Sequence, residues 1–294
     1  MSSTIQQVFR LFPEQLQETL RTAAPDSSTW EEIHVQLGKP LRIKTAMGEQ
    51  VIAPEHPVSN LELRYILTCA TAGSYHTYID SIRQGYVPLP GGCRLGICGE
   101  GSSRNGQTLS LRNLSSLCIR IPHAAVGCGD KILPQLLDEN GFHDTLILSP
   151  PGMGKTTLLR ELIRTLSNSG YRISVADERG EIAAVISGQP QFDLGEQCDI
   201  LSGIPKCKAA IMMIRTMAPD ILAMDEVTAF SDMPAIEEAA GCGVRLLTTV
   251  HGQNRKSLEQ KPMFAQLLRC GIFERLVEIR KEQGQRMYTV ERLL

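Results

Sequence analysis

A chain of 294 residues has room for two domains of the usual size, roughly 100–200 residues each. Its 42% hydrophobic and 21% charged residues exclude the disordered and low-complexity classes. Thirty basic against 32 acidic residues leave a formal charge of -2, which excludes a global field that would draw the protein to nucleic acid or to an anionic membrane.

The opening Met1-Ser-Ser-Thr-Ile-Gln-Gln lacks the basic start and apolar run of a signal peptide, and no stretch approaches the roughly 18 apolar residues of a membrane span. The chain therefore reads as soluble and intracellular, with no transmembrane segment of its own. A helical segment ending near Ala23 precedes the alternating stretch 32–37, the turn 38–40 and the strand 41–44, which together predict a hairpin. Ser59 caps a predicted helix over 60–71, with Glu62 three places after it. A second helix is expected over 75–84, then a strand over 93–98, a glycine-rich turn around 99–106, and further strands through Ile121. Nine cysteines without a CxxC pair or close Cys/His clustering along the chain read as reduced, mostly buried thiols. Cys93 and Cys98 flank a strand and suit packing better than metal binding.

These features predict a smaller α+β domain over 1–125 and a linker with a short helix over 126–143. Over 144–294 the pattern changes to α/β. Continuous apolar runs at 145–148, 172–176, 221–224 and 245–250, separated by helices, predict a parallel sheet covered on both faces. Each run ends in polar residues, at the strand end where such sheets bind ligands.

Four stations carry the chemistry. The first is the phosphate loop Ser149, Pro150, Pro151, Gly152, Met153, Gly154, Lys155, Thr156 and Thr157, between an apolar strand and a helix. Gly152 and Gly154 let backbone N–H groups converge on a phosphate at a helix N-terminus. Lys155 is expected to reach the β/γ oxygens and Thr156 to ligate magnesium. Second, roughly seventy positions on, an apolar strand delivers Asp225 to hold the metal through water and Glu226 to polarise the attacking water. Third, Asp177, Glu178 and Arg179 begin where the strand after the loop's helix ends. Two readings stand for them: groups near the γ-phosphate or its water, or a solvated charged turn in which Arg179 forms a structural ion pair. Fourth, Thr248-Thr-Val-His251 ends the last strand, where His251 is placed to sense the γ-phosphate. ATP and magnesium are the implied ligands.

Taken in chain order, as phosphate loop, acidic box, magnesium strand and histidine box, the stations resemble the ATPases of type II secretion and type IV pili. The blocks 85–92, 114–121, 177–182 and 188–195 are similar to the stage III sporulation protein AA family, across about Glu31 to Glu278, and in that family a serine at position 149 is expected. The resemblance implies a RecA-like P-loop NTPase core behind a secretion-ATPase-like N-terminal domain. It also implies a magnesium-dependent ATPase motor, homo-hexameric, with ATP between subunits. Such a motor would be cytoplasmic, in the mother cell, and peripheral to the membrane through membrane proteins of the channel that joins mother cell and forespore. A neighbour's arginine would then stabilise transition-state charge, with Arg42, Arg64 and Arg94 as candidates. Two other functions share the core: a nucleic-acid-stimulated ATPase, and an ATP-binding scaffold with little turnover. Near-neutral charge and 5% aromatic residues argue against an extended strand-binding groove, so no direct nucleic-acid partner is expected. Glu226 argues against the scaffold.

Overall fold

In the computed structural model, which describes residues 3–23, 27–104, 107–228, 230–282 and 285–293, the chain divides into two compact units, Met1–His123 and Ala124–Leu294. In the first unit, helices α1 (Ser3–Phe9) and α2 (Glu14–Ala23) lead into strands β1 (Trp30–Gln36), β2 (Leu41–Thr45) and β3 (Gly48–Ile52). Then come α3 (Asn60–Ala70), α4 (Ile79–Arg83), β4 (Tyr86–Pro88), β5 (Arg94–Arg104) and β6 (Gln107–Arg120). The strands form one antiparallel sheet in the order β3-β2-β1-β6-β5-β4.

Alternation decides its faces. Ile33, Val35, Ile43, Leu95, Leu117 and Ile119 point into a core shared with Phe9, Leu16 and Leu63 of the helices. Trp30 and Phe9 close that core with ring centroids 5.7 Å apart. The helix expected from Asn60 carries the full capping box, Ser59 with Glu62. The helix expected over 75–84 splits into a 3-10 turn, Tyr75–Tyr78, and α4, because neither piece buries a residue that would hold a continuous helix in place. The expected glycine-rich turn is largely strand. Past a bulge between Cys98 and Glu100, β5 stays paired with β6 as far as Arg104, and residues 105–106 lie outside the described residues.

The second unit begins with the segment expected as a linker. It holds the 3-10 turn Leu133–Gln135 and a small hairpin, β7 (Leu137–Asp138) with β8 (Gly141–Phe142), and its Ile132, Leu136 and Phe142 belong to the core around the phosphate-loop helix. The main sheet then builds from β9 (Thr145–Ser149), α5 (Lys155–Asn168), β10 (Ile173–Asp177), β11 (Cys198–Ser202), α6 (Lys206–Met217) and β12 (Ile221–Met224). It continues with α7 (Met233–Gly241), β13 (Arg245–His251), α8 (Arg255–Glu259), α9 (Pro262–Arg269), β14 (Arg275–Glu282) and β15 (Gln285–Arg292). Strand order is β11-β10-β12-β13-β9-β14-β15. All pairings are parallel except that of β15, which returns antiparallel along β14. Two apolar layers cover the sheet, one packing α6, α7 and α9, the other α5. This is the expected RecA-like architecture, a parallel-stranded core that follows a smaller α+β unit in the chain. Among the described residues, no helix is long and apolar enough to cross a membrane.

Gly195 shows how tightly α5 is packed from outside. Its φ is +85°, and an added Cβ would meet the Ser167 Cβ at 2.6 Å and the Arg164 carbonyl oxygen at 2.8 Å. Gly195→Ala is therefore expected to destabilise the protein by about 2–4 kcal/mol, from left-handed strain plus overpacking against backbone. The midpoint of urea unfolding reads this cost. A midpoint equal to that of the wild type would show that the loop moves aside freely.

Candidate functional site

The strand order places the C-terminal ends of β10, β12, β13 and β9 side by side, and the four stations meet there. Ser149 is the buried last residue of β9. The left-handed positions in the loop are Gly152 (φ 74°) and Gly154 (φ 94°), so glycine is required at those two and not at 149. Gly154 caps α5 without a side-chain hydrogen bond, and the first N–H groups of a 14-residue helix face the loop's concavity.

Lys155 is buried against its own loop. Its Nζ donates to the carbonyls of Ser149 (3.3 Å) and Pro150 (3.4 Å) and to His251 Nδ1 (2.7 Å). Burial pulls its pKa down, against the opposing charges of Asp225 and Glu226. A donor at Nδ1 leaves the proton of the neutral ring on Nε2, and Nε2 lies 2.5 Å from Glu226 Oε1. The other Glu226 oxygen accepts from Arg179 at 2.8 Å. Lys155, His251, Glu226 and Arg179 thus form one chain of hydrogen bonds. Burial alone would raise the Glu226 pKa, but the hydrogen bond from His251 and the surrounding positive charges, Arg179 and Lys155 among them, hold it below the ordinary carboxylate value.

The backbone of Glu226 is left-handed, φ 50°, a conformation costing a non-glycine residue about 1–2 kcal/mol. Its N–H donates to Thr249 Oγ1 (2.8 Å), and its carbonyl accepts from the Lys206 ammonium, so neighbouring strand and helix hold it there. Asp225 accepts from Thr156 Oγ1 at 2.8 Å and, on its other oxygen, from Thr249. Thr156 and Asp225 together present hard oxygen donors, which fits magnesium.

Asp177 and Glu178 both accept from backbone N–H groups. Both Asp177 oxygens are committed to backbone N–H groups, from Glu181 (2.8 Å), Ile182 (3.2 Å) and Ala183 (2.8 Å), at 2% exposure. Of the two readings of its station, the structure shows Asp177 tied to the turn that follows β10, with most of its acceptor capacity taken by those three N–H groups. Glu178 accepts from the Lys206 N–H at the start of α6 (3.2 Å), where a helix dipole favours a carboxylate. Arg179 forms the ion pair that was the second reading of its station, and its partner is Glu226. These residues, with Lys206 and Asp225, line a cleft of about 20 Å³ beside Glu226, enough for a single water.

Two participants escaped the sequence reading. Lys206 is largely buried, bonded to the Glu226 carbonyl and 3.5 Å from Asp232. A cation at a helix start, against the dipole, is the signal that marks it. Arg286 on β15 lies against the phosphate loop, its Nε 3.1 Å from where a Gly154 Cβ would stand, and makes no ion pair among the described residues. Nothing in its sequence neighbourhood signals that position. Of the candidate arginines in the first unit, Arg42 pairs with Glu49 at 3.3 Å, Arg64 is exposed, and Arg94 lies 5.3 Å from the Tyr86 ring centroid.

Comparison with known proteins accords with this geometry. The model of the family described as sporulation stage III, protein AA matches residues 2–289. The stage III sporulation protein AA of Bacillus subtilis (strain 168) is 32% identical over 260 residues, covering 86% of this chain and 83% of that protein. Among solved structures, the ATPase DotB of Legionella pneumophila superposes with a TM-score of 0.62 at 14% identity, over 95% of this chain and 80% of its own. The pilus retraction motor PilT, solved with bound ADP, superposes with a TM-score of 0.57 at 13% identity, over 94% and 81%. At such identities these two likenesses are likenesses of fold.

Proposed function

The chain belongs to the stage III sporulation protein AA family, and from that premise we propose that it is a magnesium-dependent ATPase, the cytoplasmic motor of a transenvelope channel between mother cell and forespore. It works as a homo-hexamer, peripheral to the membrane through the channel's membrane proteins, with an arginine of a neighbouring copy completing each site. The observation that carries the reading is the chain Lys155–His251–Glu226–Arg179 beside the Thr156–Asp225 pair.

In the resting arrangement both Glu226 oxygens are occupied, which makes it a poor base. The phosphates of ATP are cradled by the loop N–H groups and the start of α5. Lys155 exchanges the Ser149 and Pro150 carbonyls and His251 for β/γ oxygens. With Lys155 and Arg179 turned to the phosphates, Glu226 loses neighbouring positive charge, its pKa rises, and it accepts a proton from water in the adjoining cleft. His251, relieved of Lys155, reports the phosphate's presence along β13. Thr156 and Asp225 would hold magnesium, which would supply positive charge against that developing on the phosphates. Arg286 adds a cation from the same copy on the outer side of the loop.

The test is phosphate release and fluorescent-ADP binding by the wild type, Lys155→Ala and Arg286→Ala, with mass measurement in the presence of a non-hydrolysable ATP analogue. Magnesium-dependent turnover, hexamers with nucleotide, loss of both in Lys155→Ala, and roughly tenfold weaker ADP binding in Arg286→Ala are expected, the last corresponding to one lost charge-assisted contact. Turnover that requires single-stranded DNA would replace the motor by a nucleic-acid-stimulated ATPase. Tight binding without turnover in the assembled state would make the protein a scaffold.

A further inference from the structure

The outward face of the first unit's sheet carries a cluster that the linear sequence conceals. In the ladder, His34 of β1 stands opposite Cys118 of β6, and Cys118 opposite Gly96 of β5. Glu32, two residues before His34, shares that face, and so does Cys98, diagonal to Cys118 beyond the side-chain-free Gly96. The three ligand atoms of Glu32, His34 and Cys118 lie within 4.8 Å of one another. His34 Nε2 is their common focus, 3.0 Å from Glu32 Oε2 and 3.6 Å from Cys118 Sγ.

The 3.6 Å separation equals an edge of a zinc tetrahedron, and the 3.0 Å one is a few tenths of an ångström shorter than such an edge. Zinc–sulfur and zinc–nitrogen bonds of about 2.3 and 2.0–2.1 Å at a tetrahedral angle put sulfur and nitrogen about 3.6 Å apart, and nitrogen and oxygen about 3.3–3.4 Å apart. We propose that Glu32, His34, Cys118 and Cys98 bind one zinc-class divalent ion on the outer face of this sheet.

The surrounding charges suit that ion once it is bound. Two thiolates and a carboxylate outweigh a dication, so the complex is anionic overall. Lys44, 3.7 Å from Glu32, and Arg120, 3.5 Å from it, then face negative charge. The site stands on residues of the first unit alone and is independent of the nucleotide chemistry.

Zinc and cobalt(II) titrations of the full-length chain, without nucleotide, test it. Expected are one tightly held equivalent and a cobalt complex with a thiolate-to-metal charge-transfer band and tetrahedral d–d bands. His34→Ala and Cys118→Ser should each weaken uptake by at least about tenfold with unchanged melting of the metal-free protein, Cys98→Ser should lower the charge-transfer intensity, and Asp225→Asn should bind as the wild type does. No bound equivalent, a cobalt spectrum without the sulfur band, or undiminished uptake by His34→Ala and Cys118→Ser would overturn the site and leave a hydrogen-bonded trio. Unchanged charge-transfer intensity in Cys98→Ser would overturn the place given to that thiol, and loss of the equivalent in Asp225→Asn would move the ion to the phosphate loop.

Discussion

Glu226→Gln is expected to lower ATP turnover by about 10²–10⁴-fold, the usual contribution of a positioned general base, while nucleotide binding changes little. The substitution keeps the shape of the side chain and removes its ability to take a proton. An amide oxygen can still accept from His251, which lies 2.5 Å from Glu226 Oε1, and the left-handed backbone at 226 is held by Thr249 and Lys206 through main-chain groups that the change does not touch. The effect should therefore appear in kcat, with the affinity for fluorescent ADP close to that of the wild type. Steady-state phosphate release alongside nucleotide titration separates the two quantities. Turnover within tenfold of the wild type would remove Glu226 as the base.

Asp177→Ala is expected to act through stability. It strands three backbone N–H groups, those of Glu181, Ile182 and Ala183, and the last two residues are fully buried. Each unsatisfied donor costs about 1–3 kcal/mol. Water entering the space left by the carboxylate offsets part of this, so a loss of about 2–5 kcal/mol is expected, or a fall in Tm on the order of 10 °C. Turnover measured well below that Tm should fall far less than in Glu226→Gln. If instead Tm is unchanged and turnover drops more than a hundredfold, Asp177 acts at the phosphate and not on its loop.

Much of this site was legible because its parts are local. The loop from Ser149 to Thr157 is contiguous, and the apolar runs that became β9, β10, β12 and β13 are continuous because both faces of their sheet are covered. Strands without that signature were missed. In β3 only the last of five residues is buried, β11 lies at the sheet edge and is half-exposed, and β15 is mostly exposed. None of the three carries a periodic apolar pattern. Arg286 rides on one of these strands, which is why it escaped notice. The cysteines show the opposite error: Cys93, just before β5, is buried, with its thiol pushed up to about 12 by burial, whereas Cys98 within β5 is exposed, on the outward face of the alternation.

By itself the sequence determined the conformation of the loop from Ser149 to Thr157, since its geometry follows from two glycines, an adjoining strand and the helix after it, all within a few turns of chain. It also determined that Asp225 and Glu226 end an apolar strand. Only the tertiary structure decided what each acidic residue touches. Asp177 and Glu226 look alike as carboxylates at strand ends. The strand order β10-β12-β13-β9 sets Glu226 between His251 and Arg179, while the turn after β10 folds back and closes on Asp177. Long-range register likewise brought His34 to Cys118 across 84 residues. Spacing along a chain records what neighbouring residues can form together, and contact across a sheet depends on pairings that spacing does not encode.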